Sequence, residues 1–310
     1  MSAPDLTICE CFARDGLQHE TTSLNTGEKV ALIDAMTEAG FPRIEATSYS
    51  HPTRVPGFAD ASQVLAQITR GEGVHYKATC PNPKAVERAL ADLEAGYGAT
   101  ELSFLVSATD SHSERNLRAT RAEQWERIAE MARLAGRRFR LVGVISVALG
   151  CPFEGEVDEG VVLEDAARFA DLGVELITIG DTVGTGQPRQ IEALFKRLLR
   201  EVPTAAPVAH FHDTRGTAIA NCVAALEGGC TYFDSAFGGV GGHPSEIEYG
   251  RGRTGNVATE DLVSLFAAMG LNTGIDLDRM MQVSRECERL LGRQLDSKVA
   301  RAGLLSGLAK

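Results

Sequence analysis

The stretch HFHDTRG at residues 210–216 sets two histidines one residue apart and follows them at once with Asp213. On a β-strand such residues point to the same side, so His210 and His212 present two imidazoles together. That pair is half of a metal site, or alternatively a pair of hydrogen-bonded core histidines, because short motifs recur by chance. Near the N-terminus, CFARDGLQHE supplies Arg14 and Asp15, with Gly16 permitting a sharp turn after them. The stretch IEATS adds Glu45, a charge inside an apolar run. Arg14, Asp15 and Glu45 read either as a structural ion-pair cluster or as site residues in which Glu45 fixes Arg14. A glycine-rich segment, GGVGGHPSEIEYGRGRTGNVATEDLV, has the composition of a loop that closes over a ligand or lets backbone approach one. At its end Asn256 is placed to lend a carbonyl oxygen to a metal or to cap the following helix.

Residues so far apart in sequence meet only if the fold brings strand ends together. Short β-branched runs alternate with amphipathic stretches along the whole chain. Candidate strands lie near residues 6, 43, 75, 99, 140, 175, 207 and 231. After the first comes TGEKVALIDAMTEAG, with Val30, Leu32, Ile33 and Met36 forming an apolar stripe and Gly40 ending it. In PKAVERALADLEAG a proline opens the helix and a glycine closes it. This rhythm predicts a (β/α)8 TIM barrel, in which chemistry gathers at the C-terminal ends of the strands. A doubly wound open sheet is the structural alternative, weakened by the absence of a dinucleotide fingerprint after the first strand. No linker composition divides residues 1–310, which predicts a single domain. The stretch DLDRMMQVSRECERLLGRQL predicts an extra C-terminal helix packed on the barrel.

Composition narrows the partners. A formal net charge of −11 argues against a nucleic-acid surface, and no apolar run reaches membrane-span length. The N-terminus MSAPDLTICE lacks a leader's basic and apolar regions, which predicts a cytoplasmic protein. Seven scattered cysteines without a CxxC pair are expected to be reduced thiols.

The motifs RDGLQ, IEATSYSHP, SVALGCPFEG, IGDTVGTGQP, HFHDTRGTAIAN and GNVATEDL occur in order from about residue 5 to 265. Together they resemble the hydroxymethylglutaryl-CoA lyase family of the DRE-TIM metallolyases. The resemblance implies a divalent-cation site made by Asp15, His210, His212 and Asn256. Two histidines, a carboxylate and an amide oxygen, with no thiolate, suit Mg2+ or Mn2+ better than structural zinc. It also makes Glu10, Gln18, Asp181 and Thr182 substrate-binding candidates. Arg14 is the candidate holder of a thioester oxyanion, with Glu45 orienting it. In the family a cysteine in a GGCP lid is assigned to proton transfer, whereas this chain reads GGHP, making His243 the candidate acid. The segment before Asn256 is also longer than in the family, and CFARDG stands where a Gly-Pro pair usually precedes the arginine.

The implied reaction is carbon–carbon cleavage of a 3-hydroxy-3-methyl acyl-CoA into acetyl-CoA and a keto acid. Hydroxymethylglutaryl-CoA would yield acetoacetate, and citramalyl-CoA would yield pyruvate. Condensation of the isopropylmalate synthase type is the further alternative, disfavoured because those enzymes usually carry a C-terminal regulatory domain. Arg115 and Asn116 are candidates for the CoA phosphates, with a solvated loop as the alternative, and a homodimer is the assembly left open.

Overall fold

A computed structural model describes residues 3–242 and 254–305. Eight strands form a closed parallel barrel in sequential order: β1 (Thr7–Glu10), β2 (Arg43–Ser48), β3 (His75–Thr79), β4 (Glu101–Ser107), β5 (Arg140–Ser146), β6 (Leu176–Asp181), β7 (Ala206–Phe211) and β8 (Tyr232–Ser235). The principal surrounding helices are α1 (Thr26–Glu38), α2 (Ala61–Gln67), α3 (Pro83–Glu94), α4 (Asp110–Leu117), α5 (Arg121–Ala135), α6 (Glu159–Asp171), α7 (Pro188–Glu201), α8 (Ala218–Glu227) and α9 (Thr259–Ala268). The extra C-terminal helix is present as α10 (Leu277–Leu291), packed against α1 and α9, and a short α11 (Val299–Ala302) follows. No helix among the described residues is long and apolar enough to cross a membrane.

Helix ends follow their local chemistry. Asn25 and Glu28 make a reciprocal capping box at α1, and Thr120 and Glu123 repeat it at α5. Asn82 caps α3, with Pro83 in the first turn where its missing N–H costs nothing. In α1 the buried face is Lys29, Leu32, Ile33 and Met36. Val30, expected in that stripe, is only partly buried, because Lys29 turns inward to bond Asp60 and the Gly57 carbonyl.

Outward-facing strand residues pack on the helices as one large apolar core, which contains Ile8, Ile44, Leu102, Ile145, Ile177 and Phe233. The barrel interior is divided. Val142, Leu176 and Val208 form a separate apolar cluster toward the start of β5, β6 and β7. Across from it, β2, β3, β4 and β8 turn charges inward: Arg43, Glu45, Lys77, Glu101 and Asp234 are all buried. Each of these charges has an opposite partner, the condition under which buried ions are tolerated.

The first strand is shorter than the apolar run suggests. Strand β1 stops at Glu10, whose Oε1 accepts hydrogen bonds from the backbone N–H groups of Phe12 (2.9 Å) and Phe237 (3.1 Å). The chain then coils into a π-helical turn over Phe12–Gly16, so Arg14 and Asp15 ride on that turn at the barrel mouth. All seven cysteines are buried free thiols, as expected.

Candidate active site

The π-helical turn and the end of β7 bring the first and seventh strands' chemistry together. One ligand-type atom from each of Asp15, His210 and His212 lies within 4.8 Å of the others, close enough to share one cation. His210 faces Asp15 through Nε2, 4.0 Å from Oδ2. Its Nδ1 is 3.3 Å from Asp234 Oδ2, which turns the Nε2 lone pair toward the site when Nδ1 carries the proton. His212 Nδ1 pairs with Thr254 Oγ1 at 3.1 Å.

Asn256 completes the group. Its backbone bridges to His212 across the mouth, and its amide nitrogen donates to Asp15 Oδ2 (2.6 Å) and to the Val240 carbonyl (3.0 Å). Oδ1 is then a buried oxygen with no hydrogen-bond partner among the described residues. An amide oxygen from Asn256, a carboxylate and two imidazoles would together be a donor set suited to a hard divalent cation, if the Asn256 amide turned its oxygen rather than Nδ2 toward Asp15. The cap of α9 is Ala258, with no side-chain cap, so Asn256 is free of that competing task.

Arg14 lies directly beside Asp15. Its Nη2 meets Glu45 Oε1 at 2.6 Å, and its Nη1 meets Asp15 Oδ1 at 3.2 Å and Gln18 Oε1 at 3.4 Å. Glu45 also accepts from Thr79 Oγ1 at 2.9 Å. The arginine is fixed on three sides, and its buried Nε–H has no acceptor among the described residues.

The electrostatics follow from this crowding. Burial raises the Asp15 carboxyl, but Arg14 and the imidazoles of His210, His19 and His212 outweigh it and hold Asp15 well below the usual carboxylate range. Burial, reinforced by His210, pushes His212 down to about 3, leaving a neutral imidazole of the kind that binds metals. For His210, burial pushes downward, and the hydrogen bond to Asp234 with the charge of Asp15 brings it above its ordinary value.

Other sequence candidates lie elsewhere or face differently. Glu10 is completely buried and acts as a strut: Thr259 Oγ1 donates to its Oε2 at 2.5 Å, while Phe12 and Phe237 donate to Oε1. Asp181 is also buried, accepting from Thr185 N (2.9 Å) and Gly186 N (3.0 Å) to shape the turn after β6. Thr182 Oγ1 accepts from Val147 N at 2.8 Å, tying the ends of β5 and β6. Gln18 touches the site through Arg14. Arg115, on α4, lays its guanidinium 4.2 Å from the Phe153 ring centre, and Asn116 follows it on the same helix. His243 lies outside the described residues.

Sequence reasoning passed over Asp234 and Lys77. Asp234 supports His210, and Lys77 Nζ lies 3.6 Å from both Glu45 Oε1 and Asp234 Oδ2. The available signal was alternation: His75, Lys77 and Thr79 put a polar residue at every second position of a strand whose sheet closes on itself. Cys9, Cys11 and Asp234 also approach one another within ligand distance, but Lys77 and Arg43 already pair with that carboxylate.

A closed parallel barrel with two histidines, an aspartate and an asparagine gathered at its C-terminal mouth has the architecture of a TIM-barrel enzyme. The chain belongs to the HMGL-like family, whose profile matches residues 5–286. It is 39% identical over 298 residues to the rat mitochondrial hydroxymethylglutaryl-CoA lyase, covering 95% of this chain and 88% of that one. The mouse cytoplasmic 3-hydroxy-3-methylglutaryl-CoA lyase is 36% identical over 296 residues, covering 95% and 84%. Among solved structures, an HMG-CoA lyase from Acinetobacter baumannii in complex with coenzyme A and 3-methylmalate superposes with a TM-score of 0.90 at 35% identity, covering 99% and 98% of the two chains. The family membership makes the protein a lyase.

Proposed function

We propose that the protein cleaves 3-hydroxy-3-methylglutaryl-CoA, or a close analogue, to acetyl-CoA and acetoacetate with Mg2+ or Mn2+ bound by Asp15, His210, His212 and Asn256. The observation that carries this is the convergence of three ligand atoms within 4.8 Å beside an arginine locked in place by Glu45. A bound divalent cation supplies Lewis acidity that makes a hydroxyl placed against it easier to deprotonate. The chain's own residues then handle charge and protons. Asp15 is assigned the hydroxyl proton, which it passes on to solvent. As the alcohol oxygen forms the ketone, the C2–C3 bond breaks and its electron pair passes into the thioester as an enolate. Arg14, fixed by Glu45, Asp15 and Gln18, is assigned the developing oxyanion, whose charge its guanidinium neutralises from a set position. His243 is assigned the proton that converts the enolate carbon to the methyl group of acetyl-CoA. Arg115, with Asn116, is assigned to the CoA phosphates. A cytoplasmic setting is part of the proposal, and the relatives include cytoplasmic and mitochondrial proteins.

The test is to incubate the protein with Mg2+ or Mn2+ and a panel of 3-hydroxyacyl-CoA thioesters, then identify the keto acid by mass spectrometry. Acetoacetate from hydroxymethylglutaryl-CoA supports the proposal. Pyruvate from citramalyl-CoA, with hydroxymethylglutaryl-CoA untouched, would move the substrate to the second reading. No cleavage of any thioester would end both.

A further inference from the structure

We infer that Lys77 is a positioning residue for the active site: its ammonium ties the carboxylate that orients His210 to the carboxylate that orients Arg14. Lys77 is 2% exposed and sits inside the barrel on β3. Its Nζ is 3.6 Å from Asp234 Oδ2 and 3.6 Å from Glu45 Oε1. Those two oxygens are the ones that reach the site. Asp234 Oδ2 is 3.3 Å from His210 Nδ1, and Glu45 Oε1 is 2.6 Å from Arg14 Nη2. One lysine therefore sets the spacing between the support of the metal-facing imidazole and the support of the oxyanion-facing guanidinium.

Arg43 does not duplicate this role. It reaches the other oxygen of Asp234 at 3.7 Å and spends its remaining donors on Glu101, away from Arg14. Without Lys77, Asp234 and Glu45 would face each other as like charges across a buried gap, and each would turn toward whatever cation or water remained. The inference rests on the proposed metal site, and the experiment below separates the two.

The test measures Mn2+ affinity by electron paramagnetic resonance of free Mn2+, together with steady-state kinetics, for wild type, Lys77→Met and Lys77→Gln. Removing a positive charge near a cation site would by Coulomb's law alone tighten Mn2+ binding. Lost positioning should instead weaken it by about 10- to 100-fold, the range seen when supports of metal ligands are removed. In addition kcat should fall at saturating Mn2+ while KM for the thioester stays within about threefold. Lys77→Gln, which keeps a donor for one carboxylate, should show a smaller loss of the same sign and serves if Lys77→Met does not fold. Mn2+ binding as tight as wild type or tighter in a folded variant, with kcat unchanged, would overturn the role of Lys77 and leave the metal site standing. A wild type that takes up no Mn2+ would overturn both.

Discussion

At the scale of single residues, the site divides into groups that meet the reaction and groups that hold them. Under the proposed function Arg14 belongs to the first set, its guanidinium fixed by Glu45, Asp15 and Gln18. Arg14→Met should lower kcat by about 10²- to 10³-fold, the usual loss for an oxyanion donor, while Mn2+ affinity in a direct titration is not weakened, since a positive charge beside Asp15 is removed. Glu10 belongs to the second set. Burial lifts its carboxyl to about 8, against an ordinary value of 4.5, so the folded protein keeps a proton there that the unfolded chain releases. A group raised in this way contributes stability that is complete below pH 4.5, declines as pH climbs toward 8 and is flat beyond. Glu10→Gln preserves the size, with an oxygen for the two N–H donors and an amide N–H that donates to Thr259 Oγ1 as the protonated carboxyl does. The stability of wild type relative to Glu10→Gln should therefore fall by about 1.4 kcal/mol per pH unit between pH 5 and 7. Denaturant titrations at several pH values would measure it, and a difference that does not vary with pH would mean Glu10 is ionised when folded. His210, His212 and Asp15 were readable because strand alternation and turn chemistry are local. For the substrate candidates Glu10 and Asp181, the backbone donors that their oxygens accept from were not legible, because only the closed fold brings them together.

The elements explain how so few ligands can be held so firmly. The end of β7 and the segment at Asn256 are joined by a bridge between His212 and Asn256, which fixes one face of the site. A second constraint is the close passage of Gly241: a Cβ there would lie 2.4 Å from Asn256 Nδ2. Gly241→Ala should therefore push the Asn256 amide off Asp15 and weaken divalent-metal binding about tenfold or more, while circular dichroism shows the barrel intact. Undiminished Mn2+ affinity in that variant would mean the amide oxygen is not a ligand. The π-helical turn at Phe12–Gly16 was not legible in the sequence. CFARDG continues an apolar run, and the strand ends only because Glu10 bonds to Phe237, more than two hundred positions away. Lys77 stayed hidden for a similar reason: in HYKATC it reads as one more charged side chain, and only barrel closure sets it between Glu45 and Asp234.

For the whole molecule, eight strand and helix units were legible because their periodicity repeats along the entire chain and helix caps mark several boundaries. The polar half of the barrel interior was not, since it arises from strands meeting across the closure. Arg14, Glu45, Lys77, Asp234, Arg43, Glu101 and Arg140 form a run of alternating charge from the mouth into the interior. An ion held by residues from β7, the π-helical turn and the segment before α9 should link distant parts of the chain. Saturation to about 100 times Kd is expected to add about 2.7 kcal/mol of stability, visible as a rise in Tm. That rise should vanish in His212→Ala, whereas an equal rise in both proteins would point to metal bound elsewhere.

The most direct measurement of the central claim is the anomalous diffraction of a crystal grown with Mn2+. One strong peak is expected per chain, within bonding distance of Asp15, His210 and His212 together. A peak bound by other residues, or those three side chains ordered with no metal between them at saturating Mn2+, would contradict it.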